Sequence, residues 1–237
     1  MKGRDHSSIT LMWAFLIMCP IMLTEPIIFV SFLIGAVIGA IFPDIDGGVS
    51  PYENKGEIMQ FAGLIFKPAK LFTFWVFGLI CPERKKELVQ HRGIIHSIPG
   101  IVLCLGIVLV PLNLLILIIG YWNVSVLIFS LGLLAGAFFH LLEDSCTCSG
   151  VRLFYPFTEY KLRGGVNTLS TKREDDRPSR FASMFVLLSV AVLVIDLLMT
   201  DIPIFLTIVL GFLCWGVMYR LSQKPNNCKQ GSFIYNR

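Results

Sequence analysis

Apolar positions along the chain gather into long runs at about residues 9 to 24, 27 to 42, 61 to 80, 98 to 120, 124 to 142, 181 to 199 and 203 to 219. A helix needs about 20 apolar residues to cross a bilayer, within a range of about 17 to 25. The run from 98 to 120 is ample and the last two are adequate. The first two are short, which predicts a tight hairpin across Thr24-Glu25-Pro26, with a kink at Pro20. The run from 61 to 80 differs, because Lys67, Pro68 and Lys70 interrupt its first half. A charge at mid-membrane costs roughly 2.5 to 3.5 kcal/mol on insertion scales. That run is therefore expected to be interfacial or re-entrant, with its lysines snorkelling to the headgroups. The pattern predicts an all-α, polytopic membrane protein of about six spanning helices plus one interfacial or re-entrant helix.

Composition agrees. The 237 residues are 55% hydrophobic and 15% charged, against about 25% charged in soluble domains. The length suits one membrane-embedded bundle over residues 1–220, followed by a polar tail over 221–237. The net charge of +4 gives no indication of nucleic-acid binding. The basic residues speak to topology instead. The turns at 24–26, 121–123 and 200–202 contain no Lys or Arg. All 20 basic residues fall at the termini, in the longer loops or in the run from 61 to 80. The positive-inside rule then places both termini and those loops in the cytoplasm of a cell (inner or plasma) membrane. Lys2 and Arg4 precede an apolar run as in a signal peptide, but no small-residue cleavage site follows, so the N-terminus is expected to be retained. The seven cysteines show no secreted disulfide framework, and Cys19, Cys104 and Cys214 lie in apolar runs.

Six spans would also put the chain's ionisable residues of interest on one face. His6 precedes the first helix, and Asp44 and Asp46 end the second. His91 and His96 precede the fourth apolar run, and His140 and Asp144 end the fifth. Imidazole and carboxylate together are ligands for zinc, manganese or iron. His140 and Asp144 are four apart and share a helical face, with Glu143 close by. A helix ending in acids near a membrane interface would look the same. Asp44-Ile45-Asp46 follows Pro43 and precedes Gly47-Gly48. In an extended turn its two carboxylates would point the same way and repel unless a cation or proton lay between them. An acidic turn exposed to water is the alternative. His91 and His96 are five apart, which predicts one in a loop and the other on the opening turn of a helix, with Arg92 able to meet an anion there. Two unrelated interfacial histidines would give the same spacing.

Four blocks carry a resemblance to a known family. They are the N-terminal His6, Pro43-Asp44-Ile45-Asp46, His91-Arg92-Gly93-Ile94-Ile95-His96-Ser97, and a block from Gly136 through His140, Asp144, Thr147 and Gly150 to Leu153-Phe154-Tyr155-Pro156. In these the chain resembles the YdjM-like membrane-bound metal-dependent hydrolases. The blocks cover about residues 1 to 160, and the last third matches only as generic membrane helices. Gly47 departs from the histidine that the family often has after its Asp-x-Asp pair. Thr147 is the matching residue in Cys146-Thr147-Cys148, which makes the flanking cysteines incidental. The ligand order His, Asp, His, then His-x-x-x-Asp is also similar to that of zinc-dependent phospholipases C and related single-strand nucleases.

The expected function is a metal-dependent hydrolase of a lipid-linked or membrane-proximal phosphoester, with membrane lipids as its surroundings. His6, Asp44, Asp46, His91, His96, His140 and Asp144 are the expected metal ligands, for one or more divalent ions with zinc foremost. Asp46 is the expected bridging ligand or general base, and Arg92 is expected to stabilise charge on a phosphoryl oxygen. Two rivals stand beside this. One is a non-enzymatic metal transporter or sensor, although transporters place ionisable ligands near the bilayer midplane. The other is a scaffold that recruits a regulator through the loop from 143 to 180, with a structural metal.

Overall fold

The computed structural model describes residues 3–46, 57–90, 92–167, 175–199 and 202–223. Helix α1 runs Gly3–Met18 and α2 runs Pro26–Ile41. Helix α3 is Glu57–Ile80, α4 is the single turn Lys85–Leu88, and α5 is Ile98–Ile118. Helices α6 (Val124–Ser145), α7 (Arg177–Met199) and α8 (Ile204–Ser222) complete the set. Five stretches are long and apolar enough to cross a membrane among the described residues: Pro26–Asp44, Ile98–Ile118, Val124–Ser145, Arg177–Leu198 and Ile204–Ser222. The stretch Asp5–Ile21 is apolar but shorter, and α3 is not in this set.

Local chemistry sets the helix ends. Pro20 terminates α1 in a 3₁₀ turn, Cys19–Ile21, where a kink within a continuing helix was expected. Proline has no N–H for the helical ladder, so the helix stops there. Pro26 opens α2, where a missing N–H costs nothing. Ser97 caps α5 by accepting from Gly100 N at 3.3 Å. Asn123 caps α6 through Ser125 N at 2.9 Å and Val126 N at 3.3 Å. Asp196 accepts from Ile202 N at 2.7 Å across the α7–α8 turn, which answers the carboxylate with backbone.

Helix α6 is central. Its Phe139 and Leu142 join a core with α1, α2, α7 and α8, and Trp13 stacks on Phe139 at 4.3 Å between ring centres. Its Leu133, Ala137 and Leu141 join a second core with α3, α4 and α5. The closest partnership is with α2. A methyl group added at Gly35 or Gly39 of α2 would collide with the backbone of α6, and one at Gly132 or Gly136 of α6 would collide with the backbone of α2. These are two reciprocal Gly-x-x-x-Gly faces, the small-residue packing that lets apolar helices approach without a hydrophobic driving force.

Lys67 of α3 is exposed, as the snorkelling reading requires, whereas Lys70 is not. Lys70 is 1% exposed. Its ammonium approaches Phe42 O at 3.5 Å and lies 5.1 Å from the centre of the Phe42 ring. Phe42 follows the last turn of α2, where the helix dipole is negative and carbonyls lack helical partners. That end of α2 gives the buried ammonium an acceptor.

Candidate metal centre

The close α2–α6 contact builds the centre. It brings the C-terminal end of α2 against α6, and His140 Nδ1 donates to Ala40 O at 2.7 Å. With Nδ1 committed, Nε2 is the ring nitrogen that faces inward. It lies 3.9 Å from Asp44 Oδ1 and 3.8 Å from Asp144 Oδ2. His140 is fully buried, and its Nε2 makes no hydrogen bond among the described residues.

Other elements supply the remaining donors. Helix α1 brings His6, whose ring lies against His140 with centres 4.0 Å apart. His6 Nε2 is 3.6 Å from Asp144 Oδ1, while Nδ1 donates to Glu143. Glu143 is itself held by Thr10, which donates to its other oxygen at 3.0 Å. Glu143 therefore faces α1 and holds His6 from behind. This is the carboxylate–histidine pairing that fixes which ring nitrogen a metal meets. His96 lies on a 3₁₀ turn, Ile94–His96, just ahead of α5, and its Nε2 is 3.2 Å from Asp44 Oδ1.

Five of the seven expected ligands thus converge, from four separate parts of the chain. His6, Asp44 and His140 form one set of donor atoms lying within 4.8 Å of one another, and His96, His140 and Asp144 form a second. The sets share His140. Two donors that each lie about 2 Å from an ion are roughly 3.3 to 4 Å apart, and the His140 contacts fall in that range. A buried imidazole nitrogen lacking a hydrogen bond, aimed between two carboxylates, is the arrangement a divalent cation fits.

Two expected ligands cannot be placed. His91 lies outside the described residues, as does the side chain of Asp46. The backbone does correct one expectation. Phe42–Asp46 is a 3₁₀ helix and not the extended turn expected for Asp44-Ile45-Asp46.

Arg92 borders the centre. Its guanidinium donates to Asp144 Oδ1 at 2.9 Å, to Ser149 Oγ, and to Gly150 O at 3.3 Å. Its backbone adopts φ +61°, a left-handed conformation that costs a side-chain-bearing residue about 1 to 2 kcal/mol. Thr147, flagged by the family block, is structural. Its hydroxyl donates to Asp144 O at 2.7 Å and accepts from Gly150 N at 3.2 Å, which shapes the turn that ends α6. Gly150 sits at φ +63° in that turn. Burial pushes the Cys146 thiol up to about 12, and its Sγ donates to Leu142 O at 3.6 Å.

A family model described as YdjM inner membrane protein matches residues 1–203. The chain belongs to the YdjM inner membrane protein family. No curated protein and no solved structure matches it. The match runs through every block that forms the centre and on through α7, beyond the reach of the motifs alone. It identifies an inner membrane protein, and the described residues hold two overlapping His/Asp groups whose donor atoms lie close enough together to be candidates for a metal site.

Sequence reasoning missed two contributors. Glu143 was noted only as a neighbour of Asp144, yet the paired His6 and Thr10 give it a distinct task. The Gly35/Gly39 and Gly132/Gly136 spacing was legible as a packing signal and explains why α2 and α6 meet.

Proposed function

We propose that the chain is a membrane-bound, metal-dependent hydrolase of a phosphoester at the membrane surface. The observation that carries the reading is the buried His140 Nε2, which makes no hydrogen bond among the described residues and faces Asp44 and Asp144. The donors are all nitrogen and oxygen, a set that suits zinc and also admits manganese or iron. His6, Asp44, His96, His140 and Asp144 would hold one or two ions, with Asp46 and His91 as further ligands and Asp46 as the base. When bound, the metal supplies an activated water and polarises the scissile group.

The protein residues do the rest. Glu143 orients His6 through Nδ1. Asp144 holds Arg92 beside the donors, and the Arg92 side chain keeps 21% of its surface exposed. A planar guanidinium so placed can meet an anionic oxygen. Asp44, 29% exposed, marks the side from which a ligand could approach. All five placed ligands stand at or near helix ends and not mid-helix, which favours a surface reaction over transport through the bundle. We assign that face to the cytoplasm on the distribution of basic residues.

The test uses the full chain purified in detergent. Bound metal and cleavage of a panel of lipid and nucleotide phosphoesters are measured with chelator, and again after zinc or manganese is restored. Cleavage that is lost with chelator and regained with metal is the expected result. Full metal occupancy without cleavage across the panel would overturn the enzymatic reading in favour of a metal-binding regulator.

A further inference from the structure

The segments over residues 82–92 and 151–163 are distant in sequence and meet in the fold. Arg84 donates to Pro156 O at 3.2 Å and pairs with Glu159, and Tyr155 donates to Glu87 at 3.3 Å. Together they contain seven basic and three acidic residues. That excess equals the +4 of the whole chain, so the rest of the protein is neutral and the charge is concentrated here. Internal pairing does not exhaust it. Glu159 serves both Arg84 and Arg152, at 3.1 Å from the latter, while Lys161 and Arg163 are exposed. Partial desolvation, then the neighbouring Arg163, Arg92 and Arg152, push the Lys161 ammonium below its usual range, against the opposing pull of Asp144.

The same loop exposes large aromatic rings. Phe154 is 53% exposed, Phe157 62% and Tyr160 74%. Its position is fixed. The loop leaves the end of the α6 span, Val151 and Leu162 exchange backbone hydrogen bonds at 2.9 Å, and Leu153 O accepts from Ile98 N at 2.8 Å where α5 begins. The excursion between Val151 and Leu162 therefore lies where two spans leave the bilayer. Aromatic rings interleaved with cations at that depth match the interfacial belt and the basic segments that attract anionic headgroups. The positive-inside rule asks for the charges but has no need of the exposed rings.

We propose that this ledge binds the headgroups of anionic phospholipids in the bilayer leaflet beside the metal centre. The ring faces rest at the acyl boundary, and Arg152, Lys161 and Arg163 take the phosphates. Arg92 joins the ledge to the centre through Asp144, so the ledge would hold a lipid phosphate next to the donors. The binding does not depend on the hydrolase reading.

The test measures lipid retention, not turnover. The full chain is placed in nanodiscs of phosphatidylcholine with or without phosphatidylglycerol, then extracted in mild detergent. Lipids that stay bound are quantified by native mass spectrometry. The parent should retain phosphatidylglycerol many-fold over phosphatidylcholine. Arg152→Gln, Lys161→Gln and Arg163→Gln should each cut that preference roughly fivefold. Phe157→Ser with Tyr160→Ser should weaken retention of both lipids alike. An unchanged melting temperature in each variant establishes that the fold is intact. Equal retention of the two lipids by the parent, or parent-like preference in the triple glutamine variant, would overturn the proposal. Displacement of the lipid by soluble glycerol phosphate would also overturn it, because the surface would then be a site for a free phosphoanion. Since no cleavage is measured, any of these failures leaves the hydrolase reading untouched.

Discussion

Near the start of α6, Ser130 donates to Val126 O at 2.9 Å and accepts from Asn113 Nδ2 at 2.9 Å. Asn113 also donates to Leu109 O at 2.9 Å and accepts from Trp122 Nε1 at 3.3 Å. Near the end of the same helix, His140 has one nitrogen bonded to Ala40 O, while its other nitrogen makes no hydrogen bond among the described residues and points at two carboxylates. Both clusters place polar side chains in an apolar bundle. The first closes on itself, with hydrogen bonds tying α5 to α6. The second leaves a buried nitrogen unanswered, which in an apolar medium costs several kcal/mol if nothing fills it. The difference sets a structural stitch apart from a candidate binding centre, and it does so without reference to motif.

Substitutions can break that comparison, and the largest effect is expected where the two helices touch. Gly136→Val should drive α2 from α6, lower the melting temperature and abolish metal binding, since overpacking costs about 1 to 3 kcal/mol or more. Gly106→Val and Gly216→Val should be close to neutral, because nothing lies within 4 Å of an added carbon at either position. A parent-like metal content in Gly136→Val would show that the helix approach does not build the centre.

Next come the ligands themselves. His140→Ala and Asp144→Asn should each lower metal affinity by at least about 100-fold, since even outer partners of a metal site are worth about 10- to 100-fold. Membrane insertion should be normal. Competition with a metal-sensitive dye reads the affinity. A third substitution sharpens the role of Glu143. Glu143→Leu should weaken metal binding about 10- to 100-fold, and Glu143→Gln should recover most of it, because the amide oxygen still accepts from His6 Nδ1. Equal losses in both variants would make Glu143 a ligand or a source of charge. The smallest effect belongs to the closed cluster. Asn113→Leu should leave metal affinity unchanged and cost about 0.6 kcal/mol of stability, the average for a hydrogen bond between membrane helices.

The sequence made the candidate ligands legible because polar residues at the ends of apolar runs are conspicuous. His6, Asp44, His96, His140 and Asp144 were named from that pattern, and they converge. What it hid was geometry that depends on neighbours. Lys70 reads as a snorkelling residue because hydropathy registers the cost of lipid and not the alternative offered by the carbonyl end of α2. Asp44 and Asp46 read as an extended pair because Pro43 and two glycines suggest a turn, whereas the chain continues into a 3₁₀ coil after α2. Glu143 and Asp144 are adjacent and chemically alike. Only the fold sends one back toward Thr10 and His6 and the other toward His140 and Arg92.

The most direct measurement is elemental analysis of the full chain purified without a metal-binding tag, beside His140→Ala and Asn113→Leu prepared in the same way. The account predicts a first-row divalent metal, zinc foremost, retained by the parent and by Asn113→Leu and lost from His140→Ala. A parent that stays metal-free after dialysis against zinc, manganese and iron, or a His140→Ala protein that retains as much metal as the parent, would contradict it.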